Sequence, residues 1–171
     1  MFREMRRKRQ QLSEKESIEI LINSTSGTLA VSGDDGYPYA VPLSYIYHDG
    51  KIFFHCAKTG HKLDAIKNNS KVSFCVIAQD KVIPEKYTTY FRSVIVFGQA
   101  HIMENDSEIR AAIRLLAEKY HPDDSEEHRN EMIEKDSAAL CMVEIDIEHM
   151  TGKEAIELVK KRYSKHNNGI A

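Results

Sequence analysis

Apolar and polar residues alternate with a period of two through most of this chain, and only a few stretches carry the three-to-four residue spacing of a helix. Ile18, Leu21 and Ile22 are the first at helical intervals, and Ser13 with Glu16 ahead of them has the spacing of a capping box, which predicts an early helix. Beyond Gly27 the period changes. "TLAVSG" reads as a strand and "DDG" as a turn, while Tyr37, Tyr39, Val41, Leu43, Tyr45 and Tyr47 alternate along the next run, so a hairpin is expected. Pro38 and Pro42 each remove a ladder donor, which puts this second strand at an edge, at a bulge, or where backbone groups are left for a ligand.

"HDGK" lies between "LSYIY" and "KIFFHC" and predicts a second tight hairpin. Its last strand runs into "HCAKTGHKLDAIKNN", where Leu63 and Ile66 pin a short helix. Residues 71–79 resume strand character, and the aromatic and β-branched run from Tyr87 predicts one long strand near the middle of a sheet, bent near Gly98. Asn105 and Glu108 mark a cap before Ile109, Ile113, Leu116 and Tyr120, the clearest helical face. "HPDDSEEHRN" breaks that pattern, a weaker helix is expected around Met132, "AALCMVEIDI" returns as a strand, and "TGKEAIELVKKR" suits a closing helix. Antiparallel hairpins with short helices between them indicate a mainly β, α+β barrel and not alternating βα units.

At 171 residues, with 42% hydrophobic and 29% charged positions, one domain over 1–171 has a core large enough to need neither disulfides nor structural metal. Residues 1–12 read as a basic arm and 162–171 as a flexible tail. No apolar run is long enough to span a bilayer. Arg3, Arg6, Arg7, Lys8 and Arg9 are followed by "QLSEKES" and not by the apolar segment of a signal peptide, so a cytoplasmic location is expected. The formal net charge of -2 argues against a nucleic-acid-binding face, with "RRKR" as the one local exception. Cys56, Cys75 and Cys141 are odd in number, lack CxxC spacing and lie in apolar runs, as reduced, packed thiols do. His48, His55 and His61 have no metal-ligand spacing, so no metal is expected, and neither a nucleophile elbow nor a Rossmann glycine fingerprint is present.

Lys58, His61 and Lys62 crowd the start of the predicted helix, where the partial positive charge of the unpaired N–H groups disfavours cations unless an anion is bound. Gly60 allows close approach and Thr59 offers a hydroxyl, which together make a phosphate cradle. Spacing alone leaves this reading beside that of three exposed cations. His55, near the end of its strand, is by itself either a hydrogen-bonded core histidine or an acid–base group.

The strings "GTLAVSGDDGYPYAVPLSYIYHDGKIFFHCAKTGHKLDAI", "TTYFRSVIVFG" and "TGKEAIELVK" resemble the nitroimidazole-resistance (Nim) proteins, a branch of the pyridoxamine-phosphate-oxidase-like flavoproteins, from near residue 1 to about Lys160. The resemblance implies a six-stranded antiparallel split β-barrel with peripheral helices, dimerising around FMN, or else FAD, held in clefts at the subunit interface. It implies Thr59, Gly60, His61 and Lys62 at the flavin phosphate, Val41, Pro42, Leu43 and Ser44 along the ring, and His55 beside the ring in a catalytic role, with Cys56 adjoining. Arg92 and Ser93 would complete the cleft from the other subunit, and Tyr90 would border the substrate space. The implied activity is electron transfer from flavin to nitroimidazoles or another small planar acceptor. A flavin-storage protein without turnover is the alternative.

Overall fold

The structure, a computed structural model, describes residues 1–137 and 139–167. Helix α1 (Glu14–Asn23) opens on the expected capping box: the Glu16 N–H donates to the Ser13 hydroxyl, and the Glu16 carboxylate accepts from the Ser13 N–H. Strands β1 (Ser26–Ser32) and β2 (Pro38–Ser44) form the first hairpin, and β3 (Ile46–His48) and β4 (Lys51–Ala57) the second. The second turns on Asp49 and Gly50, at φ 46° and 78°, the two left-handed positions that a two-residue hairpin loop requires. After α2 (His61–Asn68) come β5 (Lys71–Ile83), β6 (Thr88–Ile102), α3 (Asp106–Tyr120), α4 (Glu126–Ser137), β7 (Leu140–Glu154) and α5 (Ile156–Asn167). The expected tail thus starts within α5, and 168–171 lie outside the described residues. No helix among the described residues is long and apolar enough to cross a membrane.

All pairings are antiparallel, in a sheet ordered β2-β1-β5-β6-β7-β4-β3. β6 is central, as its composition predicts, and its register against β7 shifts between Phe97 and Gly98, where the bend was expected. A Cβ at Gly98 would stand 2.1 Å from the Asp146 carbonyl oxygen, so only glycine permits that approach. β2, carrying both prolines, is an edge with β1 as its partner.

The alternating run from Tyr37 to Tyr47 is not one strand. It breaks at Tyr45, and its two parts sit at opposite edges of the sheet, which makes seven strands where six were expected. Because one residue joins the two edges, the sheet must curl until they meet, and β2 touches β4 across that seam. Tyr45 holds the corner: its fully buried ring meets Phe74 edge-on at 4.9 Å and its hydroxyl donates to the Leu21 carbonyl at 2.8 Å. The Tyr45 N–H donates to the Tyr120 hydroxyl at 2.9 Å, and its carbonyl accepts from Tyr120 at 3.0 Å and from Lys119 at 3.1 Å. Side chains from the end of α3 therefore replace the ladder partners that the corner loses.

The barrel interior is filled by Leu29, Tyr45, Phe54, Phe74, Val96 and Ile145, among others. A smaller cluster joins Phe53 and Met142 to Ala112, Ile113 and Leu116 of α3, so β4 is covered on both faces. β7 also runs further than the sequence pattern suggests. Thr151 to Glu154, expected in the closing helix, pair with β6, and Gly152 lies so close to α1 that a Cβ there would stand 2.1 Å from the Ser17 hydroxyl oxygen. Glu154 at its end is fully buried; its carboxylate accepts from Arg92 Nε at 3.2 Å and from Arg162, and its carbonyl from Gln10 at 2.9 Å.

Candidate functional site

The chain leaves the barrel at the end of β4 through Lys58, Thr59 and Gly60, all exposed, and starts α2 at His61. Gly60 is the N-cap at φ 135°, ψ 165°, a conformation essentially reserved for glycine, and a Cβ there would have nothing within 4 Å. Its carbonyl accepts the N–H groups of Leu63 at 2.9 Å and Asp64 at 3.2 Å. No side chain caps the helix, and the His61 and Lys62 amides have no acceptor among the described residues. Open backbone, free donors and two lysines suit an anion.

The His61 ring is occupied elsewhere. It stacks on Tyr39 with centroids 4.2 Å apart, and its Nε2 lies 3.6 Å from an Asp34 carboxylate oxygen. The ring is thus held against the first hairpin, and His61 meets the cradle through its backbone N–H. Lys62 is half-buried above Cys56. Burial pushes the Cys56 thiol above its ordinary value, Lys62 draws it back, and Cys141, directly opposite on β7, adds to the rise.

Along β2 the outward positions Pro42 and Ser44 are exposed, whereas Val41 and Leu43 pack against the barrel core. Val41 and Leu43 therefore offer a ligand backbone groups and not side chains. Ser44 and His55 share one cleft of about 430 Å³, walled by α3 and α4 through Ile113, Leu116 and Ile133. Exposed on its wall, His55 is a reachable histidine and not a packed one. Lys58 opens instead on a neighbouring cleft of about 510 Å³ with Asp106, Arg110 and Cys141.

Four residues of the His55 cleft were not singled out from the sequence: His121, Asp124, His128 and Arg129. The Asp124 carboxylate lies 2.9 Å from His128 Nδ1 and 3.6 Å from His121 Nδ1. Burial alone would raise its pKa, but the bond to His128 and the two nearby imidazoles outweigh that and hold it below the ordinary carboxylate value. Arg129 is buried, donates from Nη2 to the carbonyls of His121 and Asp124, and has no acceptor for Nε. "HPDDSEEHRN" shows no periodicity, and no local signal separates these residues from an exposed polar loop.

Arg92, Ser93 and Tyr90 lie elsewhere in the chain. His55 is opposite Met142 on β7, whereas Arg92 is opposite Glu154 and Ser93 opposite Lys153. Arg92 lines a separate cleft beside α1, and Tyr90 is buried, with Lys161 over its ring at 4.9 Å. None of the three shares a cleft with His55 within one chain. No group of three or more His, Cys, Asp or Glu among the described residues is arranged to hold a metal ion.

The fold recurs in solved structures. A conserved hypothetical protein from Mycobacterium tuberculosis aligns with TM-score 0.76 at 22% identity, over 88% of this chain and 90% of its own. A candidate 5-nitroimidazole antibiotic resistance protein from Bacteroides thetaiotaomicron aligns with TM-score 0.68 at 18% identity, over 84% and 86%. An FAD-binding protein from Mesorhizobium loti aligns with TM-score 0.57 at 26% identity, over 85% and 96%. No curated protein matches the sequence. The family model for pyridoxamine 5'-phosphate oxidase matches residues 13–154, from the capping serine of α1 to the buried glutamate that ends β7. Sheet order, closure at Tyr45 and the open cradle at Gly60 are thus features of a chain that belongs to the pyridoxamine 5'-phosphate oxidase family.

Proposed function

We propose that this protein is a cytoplasmic, homodimeric flavoprotein that reduces a small planar acceptor of the nitroimidazole kind. The observation that carries the reading is the uncapped start of α2 at Gly60, where free amides and two lysines answer to a phosphate group. FMN fits this corner with Lys58, Thr59, Gly60 and Lys62 at its phosphate and the backbone of Val41 to Ser44 along the ring; the FAD-binding Mesorhizobium relative makes FAD the other flavin to test. Bound flavin supplies the redox chemistry, storing two electrons and delivering them to an acceptor. His55, on the wall of the adjoining cleft, orients that acceptor and gives it a proton from an imidazole nitrogen. α3 and α4 keep water from the acceptor's inner side.

The dimer is supported by Ile77, Ile95 and Phe97, which share one face of β5 and β6 and stand 65%, 40% and 39% exposed. Arg92 and Ser93 of the second subunit would then complete the flavin cleft. A reducing compartment agrees with three free cysteines.

The purified protein is expected to show flavin absorbance bands, with FMN released on denaturation and identified by mass. Under anaerobic conditions a nitroimidazole should reoxidise the reduced protein. His55→Ala should keep the flavin and lose turnover at least tenfold. A colourless protein that takes up neither FMN nor FAD refutes the proposal; bound flavin that stays reduced in the presence of acceptor replaces it with a storage role.

A further inference from the structure

Arg129 is a buried charge with no ion-pair partner at contact distance; the nearest acid to feel its charge, Glu126, is bonded to Arg114. Arg129 is 8% exposed, and no carboxylate pairs with it among the described residues. Two backbone carbonyls, of His121 at 3.3 Å and Asp124 at 3.1 Å, accept from its Nη2, while Nε points at no acceptor. The neighbouring acids are engaged elsewhere or stand in solvent: Asp124 is held by His121 and His128, Glu126 by Arg114, and Asp136 is exposed at the rim. A guanidinium removed from water in this way is costly unless something anionic completes it.

The space beside it is a cleft of about 430 Å³, within the range of small-molecule sites. Ile113, Leu116, Ile133 and Leu140 make most of it apolar, and His55 and Ser44 stand on the opposite wall. α4, which brings Arg129 there, is held on α3 by exposed polar contacts: Arg110 with Glu134, and Arg114 with Glu126 and Asn130.

We propose that this cleft binds a small monocarboxylate with an apolar or aromatic body, its carboxylate on Arg129 and its body along the α3–α4 wall towards His55. A guanidinium presents its N–H groups in a planar fork that matches a carboxylate, and the apolar wall takes the remainder of the molecule. A dianion fits less well, because it would face the carboxylates of Asp124 and Asp136 across the same space. That the bound acid lies beside a flavin rests on the flavoprotein reading above; the preference for the anion does not.

The chain contains no tryptophan, so Met132→Trp at the lip of the cleft introduces a single fluorophore. Full-length Met132→Trp is titrated with benzoate and with its neutral isostere benzamide, and calorimetry on the parent chain checks the order. Benzoate is expected to bind at least tenfold more tightly. Adding Arg129→Met should erase the difference, and Arg129→Lys should keep part of it. Equal binding of the two probes in the parent chain overturns the proposal whatever the fate of the variants, and so does a preference that survives Arg129→Met in a folded protein. A protein that prefers benzoate but takes up no flavin upholds this site and refutes the flavin reading; one that holds flavin without the preference does the reverse.

Discussion

Glu154 and Arg129 are both buried and both charged, yet their surroundings differ in kind. Glu154 is met by two guanidiniums from different elements, Arg92 of β6 and Arg162 of α5, while Gln10 of the N-terminal arm holds its carbonyl. Arg129 is met by carbonyls of the loop just before its own helix, and part of its donor set is unused. A buried charge shared among distant elements fastens them together. One satisfied only locally adds little to the fold and remains available to a ligand.

Stability measurements can break that contrast. Arg92→Met combined with Arg162→Met strands the Glu154 carboxylate in the interior, and urea denaturation should register the largest loss, about 3–5 kcal/mol. Glu154→Gln should cost less, about 1.5–3 kcal/mol, because the partly exposed arginines can turn to water while a neutral amide keeps weaker bonds. Arg129→Met should move stability least, by under about 1 kcal/mol in either direction, since the gain from removing an uncompensated charge offsets two lost bonds to carbonyls. A loss above roughly 3 kcal/mol there would make Arg129 a fastener of the same kind as Glu154 and end the distinction.

What could be read from residue order was local. The Ser13–Glu16 box, the Asp49–Gly50 turn and the bend at Gly98 follow from steric and hydrogen-bonding rules that act over a few residues, and each stands where expected; the edge position of β2 is one of the three places its prolines allowed. The cradle was visible for the same reason, because Gly60, Thr59 and the lysines are neighbours in the chain. Its histidine was only half visible: Tyr39 and Asp34, which hold the His61 ring, come from the first hairpin.

Long-range partners decided the remainder. Nothing within the Tyr37–Tyr47 run marks Tyr45 as the break, since the hydroxyl that replaces its ladder bonds belongs to Tyr120 on α3. The acidic and histidine-rich stretch after α3 carries no periodicity, and only the packing of α4 against α3 and β7 sets Arg129 and His128 in the same cleft as His55.

By itself, then, the order of residues determined the caps, the turns, most of the strand positions and a glycine-led, lysine-flanked helix start, because each depends on dihedral preference and on donors and acceptors a few bonds apart. Tertiary structure alone decided where the barrel closes, which buried charge is neutralised and which is left open. Those outcomes depend on desolvation and on partners tens of residues away, and periodicity along a chain carries no record of either.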